Sequence, residues 1–178
     1  MKKIKLKDKN FQLFIDSKEL NNSIESLSNK INQDYSDREP IFLCVLNGAF
    51  VFAAELIKRF NHECQVSFVK LSSYQGVQSS GTINSLIGLN EDIKEKDVII
   101  VEDIVDTGQT IANIVENILN KNPRSIEVAT LLYKPKSYQK QIPIKYKAIE
   151  IGNDFIVGFG LDYNGLGRNL EEIYIIEK

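Results

Sequence analysis

The sequence has no tryptophan, one histidine, one methionine, two cysteines and four prolines in 178 residues. The single histidine, His62, sits in the polar turn NHEC and reads as a surface residue, so unless His62 serves, the chain has no histidine for acid or base work. Cys44 and Cys64 form no metal motif. Cys44 lies inside an apolar run and reads as a buried thiol, which fits a reducing, cytoplasmic setting. Charge of one sign is also lacking: 22 Lys and Arg stand against 24 Asp and Glu, net −2, so there is no general attraction to nucleic acid. No apolar run is long enough for a membrane span, and the basic start MKKIKLKDKN leads into no apolar stretch, so neither a membrane partner nor a signal peptide is expected. Internal repeats and low-complexity segments are absent.

What is present is an ordinary globular balance, 43% hydrophobic and 26% charged, in one domain able to bury a sizeable core. Its organising stretch is VIIVEDIVDTGQTIANIVENIL, residues 98–119. Residues 98–101 are apolar and β-branched, the mark of a strand buried on both faces. Residues 102–110 read as a turn carrying Glu102, Asp103, Asp106, one glycine and two threonines. Ile111, Ile114, Val115, Ile118 and Leu119 then recur with the spacing of an amphipathic helix. An acidic turn between strand end and helix start is where open α/β sheets bind ligands. Gly108 permits backbone angles that other residues avoid, so Asp106, Thr107, Gly108, Gln109 and Thr110 can aim N–H groups and hydroxyls into one concavity suited to phosphate. Glu102 and Asp103 would repel a phosphate. They suit hydroxyl groups, or a Mg²⁺ shared with the ligand's oxygens. A ribose 5-phosphate satisfies both halves. The plain alternative is a solvated acidic turn with Asp106 or Thr110 capping the helix. The Asp-Thr-Gly of aspartic proteases belongs to all-β proteins, and a helix follows here.

The remaining chain alternates strands and helices. Residues 4–14 read as extended, with Phe11, Leu13 and Ile15 alternating. Asp16 and Glu19 form a capping-box pattern before the stripe Leu20, Ile24, Leu27, Ile31. Residues 41–46 (IFLCVL) are a buried strand, followed by the turn Asn47-Gly48 and a helix over about 49–60. Residues 65–73 form a third strand. Residues 74–85 (YQGVQSSGTINS) read as a long polar loop, the composition of a water-excluding lid, with a returning hairpin arm over 85–89. Residues 125–133 (SIEVATLLY) form another core strand with Lys134 at its end. A short extended piece at 148–151 precedes FIVGFGLDY, in which Phe155 reads as a core strand residue, and residues 172–176 form the last strand.

VIIVEDIVDTGQT closely resembles the motif with which phosphoribosyltransferases bind 5-phosphoribosyl 1-diphosphate (PRPP): a strand, two acidic residues, then D-[ST]-G-x-T. The resemblance spans residues 40–178. It implies that Asp106, Thr107, Gly108, Gln109 and Thr110 hold the 5-phosphate, that Glu102 and Asp103 address the ribose hydroxyls and Mg²⁺, and that Asp106 acts as general acid or base at purine N7. Leu46-Asn47-Gly48-Ala49 matches the family's pyrophosphate turn, often built on a cis peptide, although many relatives carry Lys or Arg at the position of Asn47. Ser73-Tyr74 matches the Ser-Tyr pair of its lid. In the hypoxanthine-guanine branch, a lysine after L-L-x and before proline meets the purine 6-oxo group; Lys134 matches. Phe155 matches the aromatic that stacks on the base, Ile156 the residue whose backbone meets its edge, Asp162 a second Mg²⁺ ligand, and Arg168 the pyrophosphate arginine. Between Tyr163 and Arg168 the chain has Asn-Gly-Leu-Gly where relatives often carry bulkier residues.

The expected fold is α/β, a mainly parallel sheet flanked by helices: a single domain over 1–178, core about 36–150, with a small hood from about 1–15 and 151–178. The expected reaction transfers phosphoribosyl from PRPP to N9 of a 6-oxopurine, hypoxanthine and guanine, with Mg²⁺ as cofactor and a homodimer or homotetramer as the assembly. A xanthine-preferring enzyme remains open. So does a non-catalytic nucleotide-sensing regulator, although no DNA-binding segment accompanies the motif.

Overall fold

A computed structural model of the chain describes residues 2–74 and 83–177, with side chains for residues 2–71 and 88–177. The chain opens with β1 (Lys3–Leu6) and β2 (Lys9–Ile15), paired antiparallel. A turn at Lys7, φ 50°, breaks what the sequence pattern treats as one extended piece. Helix α1 (Ser17–Asp34) starts where the capping pattern places it: Asp16 accepts the Glu19 N–H at 2.8 Å. Its buried face carries Leu20, Ile24, Leu27 and Ile31.

Next come β3 (Ile41–Val45), α2 (Phe50–Ile57), β4 (Gln65–Tyr74) and β5 (Ile83–Ile87). They are followed by β6 (Asp97–Val105), α3 (Gln109–Leu119) and β7 (Ser125–Tyr133). The chain closes with β8 (Tyr146–Glu150), β9 (Ile156–Val157) and β10 (Ile173–Ile176). Among the described residues the strands form two sheets. The larger runs β5-β4-β3-β6-β7-β8, parallel throughout except for the antiparallel edge pair β4–β5. The smaller runs β1-β2-β10-β9 and is antiparallel.

Strand alternation builds two cores from one sheet. Phe42, Cys44, Ile99 and Val101 face α1 and α2; Ile41, Leu43, Val98 and Ile100 face α3. All eight are fully buried, each contributing roughly 1.5–3 kcal/mol of apolar transfer where the side chain is large. Burial also pushes the Cys44 thiol up to about 12, which keeps it inert. Phe11, Val157 and Tyr174 form a third, smaller core in the antiparallel sheet.

Several boundaries differ from the sequence reading. Strand β6 continues to Val105, so Glu102 and Asp103 are strand residues and not turn residues. Pairing with β7, Glu102 to Thr130 and Val105 to Tyr133, outweighs the poor strand preference of the carboxylates. Helix α2 ends at Ile57, short of residue 60. Leu119 closes the predicted stripe but is 59% exposed at the last residue of α3. FIVGFGLDY is not one strand; Ile156–Val157 form a two-residue strand, and after it positive φ at Gly158, Phe159 and Gly160 turns the chain back, leaving only the isolated bridges Gly158 to Leu161 and Tyr163 to Leu166. The polar loop is shorter than expected at both ends, because β4 reaches Tyr74 and β5 begins at Ile83. Residues 75–82 of the expected lid lie outside the described residues, as do the side chains of Ser73 and Tyr74.

Candidate active site

The order of the large sheet fixes where a ligand fits. Strand β3 is followed by α2 on one face, and its neighbour β6 is followed by α3 on the other. A crevice opens between the carboxyl ends of two such strands. Asn47-Gly48 leaves β3 there, and residues 106–108 leave β6 beside it.

On the β3 side the backbone is drawn in tightly. The Leu46-Asn47 peptide is cis. A Cβ on Gly48 would fall 1.7 Å from Oδ2 of Asp103, so only glycine lets the carboxyl lie against this turn. Gly160 approaches from the C-terminal segment; its own Cβ would meet the Gly48 carbonyl at 2.1 Å. Arg168 locks that approach by donating to the Gly160 carbonyl at 2.6 Å and pairing with Asp162 Oδ1 at 2.5 Å. The second Asp162 oxygen accepts the Gly165 N–H at 2.7 Å, so the small glycine-bearing turn before Arg168 holds the aspartate in place. Gly48, Asp103, Asp162 and Arg168 therefore converge.

Glu102 and Asp103 are buried, and Oε2 of Glu102 has no hydrogen-bond partner. An orphaned buried carboxyl oxygen demands a donor or a cation. Burial first, then the Asp103 charge, pushes the Glu102 carboxyl well above the usual range. Burial likewise raises Asp103, opposed by its bond from the Ile104 N–H and by the charge of Arg168. Among the described residues no three His, Cys, Asp or Glu side chains gather closely enough to cage a metal. Two carboxyls with a free oxygen instead fit Mg²⁺ shared with substrate oxygens, the manner in which that ion is usually held. Asp162 is committed to Arg168 and Gly165 and does not complete a group of three with that pair.

On the β6 side, the turn runs from Asp106 to Gly108, which caps α3 at φ 83° without any side-chain cap. The Gln109 N–H donates to Thr107 Oγ1 at 3.4 Å, and the N–H groups that follow it in the first turn are left open. Thr107, Gln109 and Thr110 are exposed around it. Lys134, just past the end of β7, is buried, with its ammonium 3.0 Å from Asp106 Oδ2. Phe155, read as a core residue, is 45% exposed. Its ring packs on Phe11 and edge-on to Tyr163, at centroid distances of 6.3 and 5.9 Å, so one face is braced and another is open. Ile156, next to it, is buried in β9. His62 is exposed and packs edge-on against Phe60, 5.5 Å between centroids, as a surface residue would.

Residues 16–164 match the family model described as Phosphoribosyl transferase domain. The chain belongs to this family. Among its relatives, a hypoxanthine-guanine phosphoribosyltransferase of Aquifex aeolicus is 34% identical over 174 residues, covering 97% of this chain and 98% of the relative. One from Staphylococcus epidermidis is 37% identical over 162 residues, covering 90% of each. A solved hypoxanthine phosphoribosyltransferase from Staphylococcus aureus superposes with a TM-score of 0.86 at 33% identity, covering 93% of this chain and 91% of that one. Phosphoribosyltransferase membership accounts for the motif of β6, its turn and α3 together. Arg168 lies just beyond the matched residues.

The sequence reading missed the segment after Lys134. Gln139 N–H donates to the Thr107 carbonyl at 3.2 Å, and the Tyr138 ring lies over Gly108, where a Cβ would come within 2.4 Å of it. This strap closes over the phosphate turn from a distant part of the chain. No local pattern marks it beyond the break at Lys134-Pro135.

Proposed function

We propose that this phosphoribosyltransferase carries out purine salvage, transferring the phosphoribosyl group of PRPP to N9 of hypoxanthine or guanine with release of pyrophosphate. The observation that carries the reading is the ion pair between buried Lys134 and half-exposed Asp106 beside the phosphate turn. It joins the lysine that would donate to the 6-oxo group and the aspartate that would take the N7 proton. Lysine donates and cannot accept, so a carbonyl at that edge is favoured over an amine.

In this reading purine N9 attacks C1′ of PRPP, the bond from C1′ to pyrophosphate breaks, and Asp106 receives the proton from N7. The open N–H groups of the turn and α3 bind the 5-phosphate, and the exposed face of Phe155 stacks on the base. Asn47 and Gly48, through their backbone, and Arg168 meet the pyrophosphate. Glu102 and Asp103 address the ribose hydroxyls and Mg²⁺, with Asp162 toward a second ion. Bound Mg²⁺ would neutralise the departing pyrophosphate. Ser73 and Tyr74 would belong to a lid that excludes water. The chain would work as a single domain, the small antiparallel sheet serving as the hood. It would act in the cytoplasm as a homodimer or homotetramer, for which exposed Phe50 and Phe68 offer apolar surface. No helix among the described residues is long and apolar enough to cross a membrane.

The test is turnover with PRPP and Mg²⁺, offering hypoxanthine, guanine, xanthine, adenine and orotate separately, with and without EDTA. IMP or GMP formation that EDTA abolishes is the expected result. Turnover of xanthine alone would move the specificity. PRPP binding without turnover of any base would refute the transfer reaction.

A further inference from the structure

We infer that Lys140 is a ligand of the substrate's 5-phosphate, supplying the cationic side chain that the phosphate turn itself lacks. The inference deepens the proposed function and rests on its placing of that phosphate.

Charge first raises the question. Residues 107–110 read Thr-Gly-Gln-Thr and bring no cationic side chain. The lysine at the edge of the turn, Lys134, is already committed to Asp106 at 3.0 Å. A phosphate monoester carries close to two negative charges at neutral pH, and N–H groups alone would meet a dianion beside the carboxylate of Asp106.

Lys140 is the cation that the fold brings to this place. The strap after β7 is pinned to the turn by the Gln139 N–H bond to Thr107 and by the Tyr138 ring over Gly108. Tyr138 is itself fixed by its hydroxyl, which donates to the Ile142 carbonyl at 2.5 Å, and by an edge-on contact with Tyr133. This pinning lays the Lys140 stem across the turn: its Cγ would lie 2.9 Å from a Cβ on Gly108. Three bonds of about 1.5 Å separate Cγ from Nζ, so the ammonium reaches roughly 4 Å beyond that contact. Gly108 caps α3, whose open N–H groups begin one residue past Gln109, the Gln109 N–H being bonded to Thr107 Oγ1. Lys140 is half-buried, and among the described residues no carboxylate lies within 4.0 Å of its ammonium. The neighbouring Lys145 and Lys147, by contrast, are each paired with acidic groups. A half-buried lysine without a carboxylate partner, its stem laid across a turn that leads into open helical N–H groups, is an arrangement that an anion stabilises.

The test is calorimetric binding of ribose 5-phosphate to the full chain and to Lys140→Met, Lys140→Ala and Lys140→Arg. Methionine keeps the stem over Gly108 and removes only the charge. Lys140→Met is expected to weaken ribose 5-phosphate by about tenfold, nearly as much as Lys140→Ala, and Lys140→Arg to stay within about threefold. In turnover, the KM for PRPP should rise with that for the purine unchanged. If Lys140→Met binds like the parent while Lys140→Ala does not, the residue is only a packing cover and the inference falls. If the parent itself fails to bind ribose 5-phosphate, the phosphate site is misassigned and the proposed function falls with it.

Discussion

Asp106 and Lys134 are joined by a contact of 3.0 Å that, under the proposed function, a bound purine would share or break. Lys134 is almost wholly shielded, whereas the Asp106 side chain is nearly half exposed. The lysine is thus the fixed member and the aspartate the accessible one, as suits a group that exchanges a proton with a ligand. Asp106→Asn keeps the shape and removes the proton acceptor. It should lower kcat by about 10²-fold or more, the scale of acid–base help. An unchanged kcat would remove Asp106 from that role. Lys134→Ala should raise the KM for hypoxanthine about tenfold or more, with the KM for PRPP changed far less. Equal loss for both substrates would count against recognition of the base. Gly48 is a residue of a different kind, defined by what it lacks. A methyl there must displace the Asp103 carboxyl, since the gap is 1.7 Å. Gly48→Ala should therefore cost about a hundredfold in kcat/KM for PRPP, the effect of misplacing a binding group by about an ångström. Steady-state kinetics at saturating purine would show it.

At the scale of elements, stability and site divide cleanly. Helix α1 carries no proposed site residue and depends on its cap and its apolar stripe. Asp16→Ala should cost about 1 kcal/mol in denaturant unfolding without altering turnover. In α3, Ile114→Ala should cost about 2–5 kcal/mol because Ile114 is fully buried, whereas Leu119→Ala, at the exposed end of the same stripe, should cost well under 1. That contrast shows how far periodicity reads. The stripe of α3, the cap of α1 and the apolar runs of β3, β6 and β7 were legible because local pattern and tertiary burial agree there. The extension of β6 through Glu102 and Asp103 was not, since its cause is pairing with β7, which no local pattern states. Phe155 was legible only through the family motif; strand alternation puts it in the core, whereas the positive-φ bends after β9 leave it half exposed. The strap over Gly108 was hidden for the same reason as the β6 extension: its contacts are all long-range.

For the molecule as a whole, the site is a strain that the rest of the fold supports. Two carboxyls are buried at the end of a central strand, one with an oxygen bonded to nothing. In the unfolded chain Glu102 would titrate near its ordinary value of 4.5, while in the folded chain burial raises it well above. Below about 4.5 both states keep the proton and the residue adds no pH dependence. Above that, the unfolded chain releases its proton while the folded chain retains one, so this residue erodes stability as pH rises, until the folded pKa is passed. Glu102→Gln removes the titration and keeps the size. The empty variant should therefore melt higher than its parent, by about 2–4 °C for each kcal/mol relieved, and the gain should be larger at pH 8 than at pH 5. The same variant should bind PRPP and Mg²⁺ more weakly, because the unpaired oxygen it lacks is the one a cation or a ribose hydroxyl would satisfy. Thermal melts of both proteins at the two pH values, with and without PRPP and Mg²⁺, separate the two effects. A gain in melting temperature that is the same at both pH values would mean that Glu102 already ionises freely in the folded chain. A gain that grows with pH and disappears once ligand is added would identify the buried pair as stability given up for binding.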